Sequence, residues 1–132
     1  MSDHKSKVLV IEDNREHLMA LAIKLKAYGY DVVSAGDGVT AISTVQKEQP
    51  DAILLDLGLP GGDGFVVLER LRSMGHTIAT PVIVVTARPP ETNKREAIEQ
   101  GVLAFLQKPV RTEELLLALR QALHPDLVAA EA

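Results

Sequence analysis

The chain has 132 residues, of which 46% are hydrophobic, so it has enough apolar material for one core. Its formal net charge of −4 argues against nucleic-acid binding, because that affinity comes mainly from Lys and Arg. The absence of cysteine excludes disulfides, thiolate metal sites and cysteine nucleophiles. No apolar run reaches the ~18 residues of a membrane span, and the N-terminus lacks the apolar run of a signal peptide. We expect a cytoplasmic protein with no direct nucleic-acid or membrane partner.

Short apolar runs in the first half of the chain alternate with helical periodicity. Residues 8–11 and 31–35 are predicted strands. The first helix is indicated by apolar residues at the spacing of one helix face, Leu18, Leu21, Ala22 and Leu25. It is predicted to end near Gly29. A weaker helix is predicted over residues 39–47, and Asp37 before it is interpreted as a turn residue.

The second half of the chain continues the alternation. Strands are predicted at residues 52–55, 82–85 and 102–106. The third helix is predicted to begin at Asp63 as N-cap and to bury Phe65, Leu68 and Leu71, with Val66 nearby. The fourth, at about 91–100, is polar except for Ala97 and Ile98, so we expect it to pack most loosely. The fifth is predicted to begin at about Thr112 and to bury Leu115, Leu116, Leu119 and Leu123.

The order of strand and helix, repeated five times, predicts the fold class. The strands at 8, 52 and 82 are apolar throughout, which is typical of parallel strands buried on both faces. With right-handed crossovers, such a chain forms a doubly wound α/β domain, an open parallel sheet with helices on both sides. No linker divides it, so we expect one domain over residues 1–132, with a core of about 6–123 and a short tail at 124–132.

Polar residues follow four of the predicted strands, at the edge where doubly wound sheets bind ligands. They are Glu12 and Asp13, Asp56, Thr86 and Lys108. Three carboxylates held together repel one another, so the arrangement requires a cation between them. Mg²⁺ suits oxygen ligands of this kind, and Mn²⁺ could substitute.

A carboxylate beside a metal, with a lysine and a hydroxyl aimed at the same place, indicates phosphoryl transfer. Asp56 is the candidate nucleophile, since carboxylates form aspartyl-phosphate intermediates. Lys108 and the metal would neutralise charge on the transferred group. The glycines of LPGGDG do not indicate a nucleotide site, because no GK[ST] follows them.

At this point the motifs resemble those of response-regulator receiver domains, chemotaxis-regulator-like modules of two-component signalling. The matching segments are VLVIEDN with its acidic pair, ILLDLGLPGGDG with the acceptor, VIVVTA with a switch threonine, and FLQKPV with lysine-proline. The resemblance covers residues 6 to about 123. It implies a flavodoxin-like fold with five helices and strand order 2-1-3-4-5.

The resemblance also implies roles for individual residues. Asp56 would be the phosphorylation site, and Asp13 with Glu12 would hold the metal together with Asp56 and the backbone carbonyl of Gly58. Thr86 would hydrogen-bond a phosphoryl oxygen. Lys108 would pair with another phosphoryl oxygen, and Phe105 would rotate into the space that Thr86 vacates. The Lys108–Pro109 bond is expected to be cis.

These roles imply a signalling switch rather than an enzyme that turns over external substrates. The phosphodonor would be a histidine kinase or a phosphotransfer protein. The surface formed by helix 4, strand 5 and helix 5 would change on phosphorylation and bind a downstream protein. A monomer or a phosphorylation-linked dimer is expected.

Two residues depart from the family pattern. Gly58 stands where many receivers carry a side chain that shields the acyl phosphate, and Phe105 stands where tyrosine is common. The four histidines, His4, His17, His76 and His124, show no metal-ligand spacing and are interpreted as surface residues.

Three alternatives stay open from the sequence. A metal-dependent hydrolase would need a second acid two residues after Asp56, where Gly58 stands. A receiver-like scaffold that works without phosphorylation would normally have lost the acidic pair, the acceptor or the lysine. The chain could also be one receiver of a larger hybrid kinase or transcription factor.

Overall fold

The computed structural model describes residues 5–59, 64–75, 77 and 79–126 of the chain. The predicted N-cap Asp63, two of the histidines interpreted as surface residues, His4 and His76, and most of the tail lie outside the described residues. Within the described part, no helix combines the length and apolar character that crossing a membrane requires.

The described residues form one parallel sheet of five strands. These are β1 (Lys7–Ile11), β2 (Asp31–Ala35), β3 (Ala52–Leu55), β4 (Val82–Thr86) and β5 (Ala104–Gln107). Their order is β2-β1-β3-β4-β5, and every neighbouring pair is parallel. The predicted doubly wound fold and strand order are confirmed. The three central strands are almost wholly buried, as continuous apolar runs predict.

Five helices in the described part cover the two faces of the sheet. They are α1 (Arg15–Ala27), α2 (Gly38–Glu48), α3 (Gly64–Ser73), α4 (Pro90–Glu99) and α5 (Thr112–Leu123). Successive strand residues point to opposite faces, so Leu9 and Ile11 pack with α2, α3 and α4, whereas Val8 and Val10 pack with α1 and α5. Two cores result, one on each side of the sheet.

The ends of α1 and α4 share one capping arrangement. In α4, Gly101 has a φ of 90° and its N–H donates to Ile98, while the N–H of Val102 donates to the carbonyl of Ala97. This is a Schellman motif, and Gly29 ends α1 in the same way. The prediction that β5 begins at residue 102 was wrong, because the buried Val102 closes the helix cap before the strand begins at Ala104.

Further details of three helices differ from the sequence prediction. Asp37 is the N-cap of α2, since its side chain accepts from the backbone N–H of Thr40 at 2.8 Å, and is more than a turn residue. In α3, Val67 is buried with Leu68 and Leu71, whereas Phe65 is only partly buried. In α5, Leu115 and Leu119 are buried, and Leu116 and Leu123 are partly exposed.

Helix α4 contributes least to the core. Of its ten residues, all described, Ala97 alone is buried, and the neighbouring Ile98 is 46% exposed. Its C-terminal end is held by Arg72 of α3, whose guanidinium donates to the carbonyls of Gln100 and Gly101 at 3.2 and 3.1 Å. The helix is therefore anchored at one end and lightly packed along its length.

Candidate functional site

The carboxyl ends of β1, β3, β4 and β5 place the predicted site residues at one edge of the sheet. Asp56 follows β3 and is 8% exposed, and Glu12 follows β1 and is 2% exposed. Thr86 ends β4 and is fully buried, and Lys108 follows β5. These strands are neighbours in the sheet, so residues far apart in sequence come into hydrogen-bonding distance.

The carboxylate of Asp56 accepts hydrogen bonds on both oxygens. Its Oδ1 accepts from the hydroxyl of Thr86 at 2.8 Å and from the backbone N–H of Gly58 at 2.9 Å. Its Oδ2 accepts from the ammonium of Lys108 at 2.9 Å. The acceptor predicted from the sequence is thus oriented by three donors from three different segments.

Glu12 links the helix start to the lysine. Its Oε2 accepts from the backbone N–H of Asn14 at 3.0 Å, and its Oε1 accepts from the ammonium of Lys108. Asn14 in turn is the N-cap of α1. Residues 12–14, the acidic segment, therefore both lead into α1 and place the carboxylate of Glu12 in the site.

The buried charges shift one another's ionisation. Burial raises the pKa of Glu12, and the hydrogen bonds from Lys108 and Asn14 offset only part of that rise. Burial also opposes ionisation of Asp56, but the bonds from Gly58, Lys108 and Thr86 outweigh it, so the pKa of Asp56 lies below its ordinary value. Burial lowers the pKa of Lys108, but its bonds to Glu12 and Asp56 raise it overall. Asp56 is thus a carboxylate and Lys108 an ammonium at neutral pH.

The acidic residues fit a divalent cation. Glu12, Asp13 and Asp56 each offer a carboxylate oxygen, and these ligand atoms lie within 4.8 Å of one another. Three carboxylates against the single ammonium of Lys108 leave an excess of two negative charges among the described site residues. Oxygen donors with this excess charge match the preference of Mg²⁺. The predicted ligand role of the Gly58 carbonyl stays a prediction.

The remaining predicted residues lie around this cluster. Thr86 also accepts from the backbone N–H of Arg88 at 3.2 Å, which ties its hydroxyl to the loop before α4. Phe105 is partly buried and packs against the core on the α2, α3 and α4 side. The Lys108–Pro109 bond is cis, as the resemblance implied. The switching roles of Thr86 and Phe105 stay predictions.

His17 belongs to the site, although the sequence indicated only a surface residue. Its side chain is 51% exposed, and its Nδ1 lies 2.9 Å from the ammonium of Lys108 and 3.9 Å from Glu12 Oε1. Its backbone N–H donates to the side chain of the N-cap Asn14. A signal was present in the sequence, because a residue three positions after the N-cap lies in the first turn of a helix that starts at the site.

Comparison with known proteins agrees with this geometry. The family model described as the response regulator receiver domain matches residues 8–120. The transcriptional regulatory protein KdpE of Mycobacterium tuberculosis is 39% identical over 124 residues, which are 94% of this chain and 54% of KdpE. The chain therefore spans about half the length of that relative. Protein PilH of Pseudomonas aeruginosa is 32% identical over 118 residues, which are 89% of this chain and 98% of PilH.

A solved structure shows the same architecture. The receiver domain of a Pseudomonas aeruginosa sensor histidine kinase superimposes with a TM-score of 0.83 at 28% identity, covering 91% of this chain and 98% of that one. That structure has a magnesium ion coordinated in its active-site cleft. On its motifs, its fold and these matches, the chain belongs to the response regulator receiver domain family.

Proposed function

We propose that this chain is a phosphorylation switch that accepts a phosphoryl group on Asp56 and passes the signal on through a changed surface. The observation that carries the proposal is the setting of the Asp56 carboxylate, which is oriented by Thr86, Gly58 and Lys108 beside two further acids. A helix or turn cap would not need the long-range partners Thr86 and Lys108.

The residues at the site support an in-line transfer. A carboxylate oxygen of Asp56 would attack phosphorus, the bond from phosphorus to the donor's imidazole nitrogen would break, and the nitrogen would keep the electron pair. Lys108 is placed to neutralise charge on the transferred group, since its ammonium already contacts Asp56 Oδ2. Such positioning supplies most of the catalysis in phosphoryl transfer.

A divalent cation fits the acids of this site. Glu12, Asp13 and Asp56 would hold Mg²⁺, or Mn²⁺ in its place, and the ion would supply positive charge at the phosphoryl oxygens. The carbonyl of Gly58 would complete the protein ligands.

The proposed donor is a histidine kinase or a phosphotransfer protein. After transfer, the hydroxyl of Thr86 would leave Asp56 for a phosphoryl oxygen and pull the loop before α4 with it, since that loop is already bonded to Thr86 through Arg88. Phe105 would rotate into the vacated space. Light packing of α4 supports a change confined to α4, β5 and α5, where a downstream protein or a second copy of the chain would bind.

The proposed role is regulatory, so the only reactions that the chain would assist are phosphorylation and dephosphorylation of its own Asp56. A hydrolase of external substrates would need a general acid two residues after Asp56, where Gly58 has no side chain. Because the chain spans about half of KdpE, a place within a longer regulator is part of the proposal. A cytoplasmic location stays a prediction from the sequence.

The test is the intact mass after incubation with acetyl phosphate and Mg²⁺. We expect a gain of about 80 Da, one HPO₃ group on a carboxylate. The gain should be absent in Asp56→Asn and in wild-type protein treated with EDTA. Asp31→Asn is the matched control, because Asp31 is an exposed aspartate at the opposite end of the sheet.

A wild type that gains no mass, where a known receiver treated in parallel does, would contradict the proposal. The scaffold that works without phosphorylation would then be favoured. A gain that persists in Asp56→Asn would place the modification on another residue and equally overturn the assignment.

A further inference from the structure

The ammonium of Lys108 has a partner that the sequence motifs of the site do not include. A lysine ammonium carries three N–H donors and no acceptor. Among the described residues, its three acceptors are Glu12 Oε1, Asp56 Oδ2 and His17 Nδ1. The third comes from a different element than the other two, since His17 lies in the first turn of α1.

We propose that His17 is a positioning residue that orients the Lys108 ammonium toward the phosphoryl group. The inference rests on the proposed function and deepens it by adding a residue to the same site. Since a charged lysine can only donate, His17 Nδ1 is the acceptor in this hydrogen bond. The ring therefore gives the ammonium a third acceptor, at 2.9 Å.

The value of the third acceptor follows from what phosphoryl transfer does to the other two acceptors, Asp56 and Glu12. Asp56 supplies the oxygen that bonds to phosphorus. The hydrogen bond that it accepts from Lys108 is then replaced by one from Lys108 to a phosphoryl oxygen. Glu12 is a predicted metal ligand, and its oxygens are shared with the cation. His17 is the one acceptor of Lys108 in the described site with no other predicted partner, so it can hold the ammonium throughout the transfer.

Backbone hydrogen bonds at the start of α1 hold His17 near Lys108. His17 N–H donates to the N-cap side chain of Asn14 at 3.0 Å, and Asn14 N–H donates to Glu12. The carboxylate of Glu12 and the backbone of His17 are thus both held at one helix cap. His17 lines an apolar pocket of about 430 Å³ together with Leu21 and Lys108, so a substituted side chain has room without displacing the core.

Two variants separate the acceptor from the bulk of the ring. His17→Asn places an amide oxygen at nearly the position of Nδ1, whereas His17→Leu keeps comparable size and removes the acceptor. We expect His17→Leu to be labelled by acetyl phosphate about tenfold more slowly, and His17→Asn to stay within about twofold of the wild type. His124→Leu, the same change at the exposed C-cap of α5, is the matched control.

A second readout does not depend on phosphorylation. An ammonium held by three acceptors exchanges protons with water slowly, so Lys108 should give a cross peak in ¹H–¹⁵N spectra of its ammonium group. The peak is assigned by its absence in Lys108→Arg. It should persist in His17→Asn and broaden beyond detection in His17→Leu.

The two readouts separate failure of the inference from failure of the proposed function. If the wild type is not labelled, the proposed function fails, and the ammonium spectra still decide whether His17 orients Lys108. If the wild type is labelled, an unchanged ammonium peak or unchanged labelling in His17→Leu overturns the inference. Equal loss in His17→Leu and His17→Asn also overturns it, because the acceptor atom would then not matter.

Discussion

The two buried carboxylates of the site differ in what surrounds them. Asp56 is stabilised as an anion by three hydrogen bonds, so its pKa is lowered in spite of burial. Burial and the nearby charge of Asp56 raise the pKa of Glu12, and its hydrogen bonds from Lys108 and Asn14 offset only part of that rise. Asp56, the proposed acceptor, therefore stays ionised, whereas burial disfavours ionisation of the neighbouring Glu12, an effect that a bound cation would offset.

Gly58 leaves one side of the acceptor open. A Cβ at this position would lie 3.4 Å from Asp56 Oδ1, at van der Waals contact, so any side chain there would stand beside the proposed acyl phosphate. The N–H of Gly58, which bonds Asp56, belongs to the backbone and is kept on substitution. We predict that Gly58→Asn lengthens the phosphoryl half-life about fivefold, or ~1 kcal/mol in the barrier to hydrolysis, because its side chain excludes water.

The measurement is the decay of the mass gain after acetyl phosphate is removed by desalting. Gly58→Ala should fall between the wild type and Gly58→Asn, since its methyl group shields less. Gly75→Ala is the control for glycine replacement away from the site, because a Cβ there meets nothing within 4 Å. Identical half-lives in all of these proteins would show that position 58 does not limit access.

At the scale of elements, the start of α3 lies directly against Asp56 and Leu57, which together are called the acceptor segment. The N–H of Gly64 donates to the carbonyl of Leu57 at 2.9 Å. A Cβ on Gly64 would approach the Leu57 Cα to 2.6 Å and the Asp56 carbonyl oxygen to 2.7 Å. Both contacts are with backbone, which cannot rotate away, so the acceptor segment and α3 would have to separate.

Gly64→Ala should therefore destabilise the fold by about 2–3 kcal/mol, at the upper end of overpacking costs. Gly75→Ala, by contrast, should change the free energy of unfolding by less than about 1 kcal/mol, because its Cβ would meet open space. Urea denaturation followed by circular dichroism gives both values. A Gly64→Ala protein as stable as the Gly75→Ala protein would mean that α3 moves freely relative to Asp56.

The elements also show what the sequence could predict. The polar residues at the ends of the predicted strands identified Glu12, Asp56, Thr86 and Lys108 as site residues. Parallel strands bring their carboxyl ends to one edge of the sheet whatever the conformation of the loops. The apolar character of Val102 could not show whether this residue belongs to a strand or to a helix cap, because it is buried in either role. The position of His17 in the first turn of α1 could be read locally, but its contact with Lys108 could not, because that contact spans 91 residues of sequence.

At the scale of the whole molecule, the stability of the fold depends on pH through the ionisable groups of this site. Because the pKa of Glu12 is raised in the folded state, the folded chain binds its proton more tightly than the unfolded chain. Its contribution to stability is therefore present below the ordinary value of 4.5 and is lost as pH rises through the folded pKa. Asp56 acts in the opposite sense, and its contribution is lost as pH falls through a pKa below 3.8. Lys108 contributes below 10.5 and loses its contribution as pH rises through its raised pKa.

A cation bound by Glu12, Asp13 and Asp56 should offset the unfavourable free energy of burying ionised Glu12. Mg²⁺ requires ionised ligands, so it competes with the proton on Glu12 and stabilises the folded chain most at neutral pH. We predict that Mg²⁺ at about 100 times its Kd raises the free energy of unfolding by ~2.7 kcal/mol at pH 7.5. The gain should shrink as pH falls through the raised pKa of Glu12 toward 4.5.

Urea denaturation with and without Mg²⁺ across this pH range measures both the gain and its loss. In Glu12→Gln the metal-free stability should vary less between pH 7.5 and 4.5, because the group that titrates there is gone, and Mg²⁺ should add little at any pH. Glu91→Gln, an exposed acid in the first turn of α4, is the matched control and should behave as the wild type. If Glu12→Gln kept both the wild-type pH dependence and the full Mg²⁺ gain, Glu12 would be neither the titrating group nor a ligand, and the cation would have to bind through Asp13 and Asp56 alone.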